Sequence, residues 1–470
     1  MTAPVSAAGP TAALAGFAGS LSLEQVPASA VRAVKRLILD HLGCALGGSR
    51  TPLARAAAAA VGDESGTGAT VVGTGQRAAP GPAAFVNAMA ANALDYDDTG
   101  ATGHPGATVI PAALALAETL GRSGADLLVA VLAGYEVWVR IGEAVQPTWA
   151  RRVEVYGSGT TQTFGAVAAA SRLLGLPVER TLSAFGLAGA FAPLPHEAKF
   201  GWDEDRLSWV KDNVAWPAEA GVRAARLAAR GFRATHTILD GERGLARMMS
   251  SDRYDPDRLV RGLGTEWSVL ELSLKPYPCC RWIHSTLDAV RDLTGRDGIR
   301  PQDVGRVRVA SIDAFPAWFG GRRPPTMVDA QFSVPHAVAM TLLGRPRARW
   351  WEDANRSDPA VLALMDRITL DADPEAQAAW LTLRHSARIP VAVTIETAAR
   401  TLERARRHAR GGVDEPLTDA EVAEKYRELA EPVLGPRGAA RVRDLVDTLE
   451  QVDRVDRLAA ALTPETGGDR

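Results

Sequence analysis

A chain of 470 residues with 46% hydrophobic and 23% charged side chains is long enough for more than one domain and too apolar to be disordered. Its 53 basic residues against 55 acidic ones leave no excess of one sign for nucleic acid or a membrane surface. Met1 to Ser20 carry no Lys or Arg, so a signal peptide is not expected. The apolar run Leu127–Val139 holds Glu136 and is shorter than the ~20 residues a bilayer needs, so the expected location is the cytoplasm.

In chain order, Val31, Val34, Leu37, Ile38 and Leu42 recur at helical spacing, which predicts a helix over Ala28–Gly47 ending at a glycine pair. Helices are also predicted over Pro82–Leu94, Val109–Leu120, Ala125–Val145, Gly165–Leu174 and Ala218–Ala229, several of them alanine-rich enough to pack closely. The pattern changes after Leu274: Val304–Ile312 and Ile389–Thr397 alternate apolar and polar residues as half-buried strands do, among helices at Ile283–Leu293 and Val334–Leu343. The fold class expected is mainly α, with residues 1–272 and 406–470 forming one large helical domain and 273–405 an inserted, smaller α+β lid domain. The tail Thr418–Leu462 should pack back on the N-terminal helices.

Three polar clusters stand out. Asp95-Tyr96-Asp97-Asp98-Thr99, followed by Gly100, Gly103 and His104, predicts a structured loop at a helix N-terminus, where backbone N–H groups attract an anion. Any one of these Asp residues alone reads as a turn former; three with a Thr and a His read as a site. Metal-ligand spacing is absent, and no metal or cofactor is expected.

The second cluster is Lys275-Pro276-Tyr277-Pro278-Cys279-Cys280-Arg281-Trp282-Ile283-His284, where three groups able to carry positive charge suit a carboxylate-rich ligand in a cleft between domains. Trp282 is read as core packing. The third cluster, Lys211-Asp212-Asn213, reads by itself as a solvated ion pair. Cys44, Cys279 and Cys280 lack disulfide or zinc spacing and are expected to be buried thiols. Only five of the 53 basic residues are lysines: Lys35, Lys199, Lys211, Lys275 and Lys425. In so arginine-rich a chain, a retained lysine is a candidate for chemistry that arginine cannot supply.

The segments NALDYDDT…HPGATVIPAALALAE (Asn92–Glu118), KDNVAWPAEAGVRAARLAARGF (Lys211–Phe232), KPYPCCRWIHSTLDA (Lys275–Ala289) and AQFSVPHAVA (Ala330–Ala339) resemble, in order, signatures of the MmgE/PrpD family, which includes 2-methylcitrate dehydratase and cis-aconitate decarboxylase. The resemblance implies a homodimer, a cleft site between helical and lid domains, and substrate contacts at Asp95, Thr99, His104, Lys211 and Lys275. This chain departs from the family pattern at Asn92 and Gly100, where histidines are usual, near Tyr156, where a histidine is usual before an alanine-rich helix, and at His336, where a tyrosine is common.

The expected activity is that of a lyase moving a proton beside a carboxylate of a small di- or tricarboxylate, with an epimerase or isomerase, or a non-catalytic scaffold, as alternatives. His104 would be the acid/base, oriented by Asp95, and Tyr156 or His336 the acid on the opposite face. Lys211, Lys275, Arg281, His284, Thr99 and Asp98 would bind the substrate and its developing charge.

Overall fold

The computed structural model describes residues 9–62, 68–100, 103–155, 157–194, 206–383 and 385–464. The protein is mainly helical, with 59% helix and 8% strand. Its larger hydrophobic core draws on residues between Leu14 and Leu274 and again between Leu417 and Leu462, so both ends of the chain bury their apolar faces together. A separate core is built from residues between Tyr277 and Ile395.

Within the helical body, Ala28–Gly48 buries Val34, Leu37, Ile38 and Leu42, the stripe its spacing predicts. Missing side chains let other helices approach closely. A Cβ on Gly134, in helix Gly124–Ala144, would meet Gly165 O of helix Gly159–Leu174 at 2.7 Å, and one on Gly165 would meet Gly134 O at 2.9 Å. A small antiparallel hairpin, β1 (Ala69–Thr70) with β2 (Arg77–Ala78), interrupts the helices. The long helical stretch Asp419–Asp447 lies on Ala28–Gly48 and is kinked at Gly435, whose φ is +70° and which Pro436 follows.

The second body holds a four-stranded sheet of β3 (Val304–Ser311), β4 (Ile368–Ala372), β5 (Val391–Thr397) and β6 (Thr401–Arg406), in the order β4-β3-β5-β6. β3 runs parallel to β4 and antiparallel to β5, with Val307 opposite Ile368 and Ile395. A register shift between Val304 and Arg306 lets both Val304 and Val307 point inward although they are three apart. Helix His284–Asp297 packs on β5 and β6 and carries the strand-side core residues Leu287, Val290 and Leu293. Among the described residues, no helix is long and apolar enough to cross a membrane.

Where the bodies meet, Tyr96 Oη donates to Pro276 O (3.1 Å) and Gln331 Nε2 to Ala93 O (2.8 Å). The C-terminal helix adds Lys425, whose Nζ donates to Tyr96 O (2.6 Å) and pairs with Asp40 (2.5 Å). These contacts fix the loop at Asp95–Thr99 against the Lys275 segment.

Candidate active site

The Pro80–Asn92 helix ends in a turn in which Asp95 is left-handed (φ +50°), and Asn213, just before helix Ala215–Ala229, is also left-handed (φ +44°). Asp and Asn tolerate this conformation better than other non-glycine residues, which accounts for their presence at two turns that face one another. Between them, Lys211 Nζ donates to Asp95 Oδ1 (2.9 Å) and to Asp212 Oδ2. Lys275 Nζ donates to Asp95 O (2.8 Å) and lies 3.2 Å from Asp95 Oδ1. Burial would push the Asp95 carboxyl up, but the two ammonium groups and His104 outweigh it and hold it well below the usual carboxylate range. Burial likewise opposes the charge on Lys211, and Asp212 and Asp95 together push it the other way, above the ordinary lysine value.

His104 has a carboxylate on each side. Its Nδ1–H donates to Asp97 Oδ2 (3.0 Å), and its Nε2 lies 3.7 Å from Asp212 Oδ1. Burial disfavours the imidazolium, yet Asp212 and Asp97 more than offset it and raise the pKa above 6.5. Gln162 Nε2 holds the backbone by donating to His104 O (2.9 Å). Gly103 (φ +151°) lies so close to Ser158 that a Cβ there would approach Ser158 Cβ to 2.6 Å.

A cleft of about 80 Å³ opens against these groups, lined on one side by Asp95, Thr99, His104 and Asp212 and on the other by Cys280, Arg281, Trp282, Phe319 and Phe332. Arg281 is 3% exposed; its Nη1 donates to His284 Nδ1 (3.0 Å), while its Nε and Nη2 have no hydrogen-bond partner among the described residues. Thr99 Oγ1 is also buried without a partner, on a residue pinned by paired backbone bonds to Ser273 (2.9 and 2.8 Å). Three unmatched buried polar atoms, Arg281 Nε and Nη2 and Thr99 Oγ1, thus belong to residues that line this cleft and are candidates to meet a polar ligand. Two larger hollows, about 120 Å³ beside Trp209 and about 390 Å³ behind Tyr96, are lined by neither His104 nor Arg281.

The structure places several of the expected site residues away from this cleft. Lys211 and Lys275 do not line this cleft; their charges are spent on Asp95 and Asp212. His284 is fully buried, accepts from Arg281 and donates through Nε2 to Cys279 O (3.1 Å), and burial and the Arg281 charge push its pKa well down, so it orients Arg281 instead of touching a ligand.

Asp98 does not line the cleft either. It accepts from Gly106 N (3.1 Å) and Tyr135 Oη (3.0 Å), so the anion at the N-terminus of helix Gly106–Thr119 is a side chain of the protein itself. Burial, Asp97 and Asp40 raise its pKa to about 7. His336 is not a cleft residue. It sits in the first turn of helix Val334–Leu342, 2% exposed, and burial and Arg356 lower its pKa to about 4. Tyr156 lies outside the described residues, as does Lys199.

The carboxylate hydrogen-bonded to His104 is Asp97, not Asp95, and Asp212 is its second neighbour; the sequence placed both in polar clusters without assigning either to His104. Cys280 is half-buried, not buried, and faces the cleft; burial raises its thiol to about 12, so it stays neutral. Trp282 serves both as packing and as wall: it lies 6.1 Å from Phe319 and 5.1 Å from Trp380 while lining the cleft. Asp95, Asp97 and His104 present ligand atoms within 4.8 Å of one another, a set able to hold a metal ion. A dication there would meet the two ammonium groups already on Asp95.

The model of the MmgE/PrpD N-terminal domain matches residues 12–257, and that of the MmgE/PrpD C-terminal domain matches residues 277–451. The chain belongs to the MmgE/PrpD family. Its curated relatives include a cis-aconitate decarboxylase-like protein, oryM, of Aspergillus oryzae, 27% identical with 97% of each chain covered. They also include the cis-aconitate decarboxylases of Aspergillus terreus (26% identical; 97% of this chain and 96% of the relative) and of Homo sapiens (27% identical; 91% and 89%). In this family member the match therefore spans both bodies and the segments that meet at the cleft.

Proposed function

We propose that this protein is a lyase acting on a small di- or tricarboxylate by proton transfer next to a carboxylate, with decarboxylation favoured over dehydration. The observation that carries the reading is His104, held by Asp97 at 3.0 Å and flanked by Asp212 at 3.7 Å, two carboxylates that favour its charged form, in the same cleft as Arg281. The names of relatives covered over nearly their whole length support decarboxylation.

The chemistry balances without a cofactor. Arg281 holds one substrate carboxylate through Nε and Nη2, with Thr99 Oγ1 as a further donor. The bond to the leaving carboxylate breaks, its electron pair passes into the system conjugated with the held carboxylate, and CO₂ departs neutral. His104 then gives its proton to the resulting carbanion and is left as imidazole, with Asp97 and Asp212 ready to favour its reprotonation from water. Lys211 and Lys275 keep Asp95 and Asp212 ionised and fixed, so the acid stays in place between turnovers. The family resemblance supports, in addition, a homodimer and a lid role for the α+β body.

Proton NMR in D₂O with cis-aconitate, citrate, 2-methylcitrate and smaller dicarboxylates tests the reading. A new vinyl signal with loss of CO₂ is the result expected. Loss of water instead means a dehydratase; deuterium wash-in without net product means an epimerase or isomerase and overturns the lyase reading.

A further inference from the structure

The carboxylate that holds His104 is itself fully buried and needs holding. Among the described residues, the hydrogen bonds to Asp97 come from two side chains. His104 Nδ1 reaches Oδ2 at 3.0 Å, and Asn92 Nδ2 reaches Oδ1 at 3.2 Å and Oδ2 at 3.4 Å. Asn92 ends the helix Pro80–Asn92, and its carbonyl accepts from Asp95 N (2.9 Å) in the turn that the left-handed Asp95 completes. The turn folds the chain back, so that side chains five residues apart meet.

The other neighbours of Asp97 oppose it. Asp98 is pushed up to about 7 by burial first and then by Asp97 and Asp40, which places three buried carboxylates within reach of one another's charge. With the Asn92 amide removed, Oδ1 would stand buried without a donor, and the carboxylate would be free to turn away from the imidazole. Asn92 does not line the cleft; it borders instead the hollow of about 120 Å³ beside Trp209. Whatever it contributes to the reaction passes through Asp97.

Resting on the acid role given to His104 above, we infer that Asn92 is a positioning residue, whose amide fixes the Asp97 carboxylate so that it holds the His104 imidazole in its working orientation. Asn92, Asp97 and His104 form one chain of hydrogen bonds, of which the last member alone lines the cleft.

Asn92→Leu, of similar volume and without a donor, tests this through two readouts. The first is independent of turnover: proton NMR of the full-length protein with isotope-labelled histidine, the His104 Nδ1–H being identified by its loss in His104→Ala. Exchange of that proton with solvent should be about tenfold faster in Asn92→Leu than in the wild type, the worth of one hydrogen bond to a charged group. Asn92→Gln keeps an amide, with the hollow to take up its extra carbon, and should stay near the wild-type rate. Asn92→Ala supplies the same comparison where circular dichroism shows the leucine variant misfolded. An unchanged rate in a folded variant lacking the donor, or no Nδ1–H signal in the wild type, overturns the inference.

The second readout is turnover of whichever acid the wild type consumes. Asn92→Leu should lower kcat about tenfold with KM nearly unchanged, and the same substitution should cost little in an Asp97→Asn background, where the charge it serves is gone. Losses that simply multiply would make Asn92 a structural residue and overturn the inference while the lyase reading stands. A wild type that consumes none of the acids overturns the lyase reading, and the exchange rates still decide what Asn92 does.

Discussion

Asp97→Asn tests how His104 is kept charged. The substitution preserves shape and removes one unit charge whose oxygen is 3.0 Å from His104 Nδ1. At an effective dielectric of about 20, a unit charge at that distance is worth about 5 kcal/mol. The amide keeps part of this as a neutral hydrogen bond, so the net loss falls near the ~1.5–3 kcal/mol of a charge-assisted bond. That corresponds to a fall of about one to two units in the imidazolium pKa at 1.36 kcal/mol per unit. Because the acid must be protonated to act, activity in the native protein falls as pH rises through a pKa above 6.5. In the variant the same alkaline limb should move to lower pH by about one to two units. The assay is the pH dependence of kcat/KM, with circular dichroism to show the fold intact. An alkaline limb that stays put or moves upward would refute the assignment of Asp97 to His104 and of His104 to the acid role.

His104→Ala should lower kcat by about 10²–10⁴, with circular dichroism to show that the loop, held by other bonds, stays folded. Arg281→Lys should fail to restore the KM lost in Arg281→Ala, because an ammonium cannot reproduce the planar, two-pronged guanidinium edge; equal KM values for Lys and wild type would sink that reading. Lys425→Ala should destabilise by about 3–5 kcal/mol in a denaturant titration, since it leaves Asp40 buried beside an unbonded Tyr96 carbonyl. Asp98 has a raised folded pKa of about 7 against an unfolded value near 3.8, so it binds protons more tightly when folded and takes stability away as pH rises between those values. Asp98→Asn should flatten that part of the stability profile, and an unchanged slope from pH 4 to 7 would remove Asp98 as its source.

The helices were legible because burial follows local spacing: Val34, Leu37, Ile38 and Leu42 line one face at 4% exposure or less. β3 and β5 showed their alternation, whereas β6 did not, because its Thr, Glu and Arg side chains cover an edge strand and only Leu402 reaches the core. β4 is short, with Ile368 alone fully inside, and has no period to read. At the cleft, the scarcity of lysine pointed to Lys211, Lys275 and Lys425, all 6% exposed or less. What the sequence could not show is which charges meet. Lys211 and Lys275 find Asp95 across 116 and 180 residues, and that pairing, not their presence, keeps them from lining the cleft that Arg281 lines. The partnership of Asp97 and Asp212 with His104 was illegible for the same reason: an acidic residue is ordinary until a histidine is brought to it.

The bond from Lys425 to the Tyr96 carbonyl carries a lesson about time. A ribosome has released more than three hundred residues after Tyr96 before the ammonium that fastens this loop can reach it. Until then the turn that carries Asp97 and His104 is held by its other bonds, to Pro276, Ser273 and Gln162, without the last clamp on its geometry. Activity should thus emerge late in synthesis, and a separately made C-terminal fragment carrying Lys425 is the natural candidate to restore it in trans.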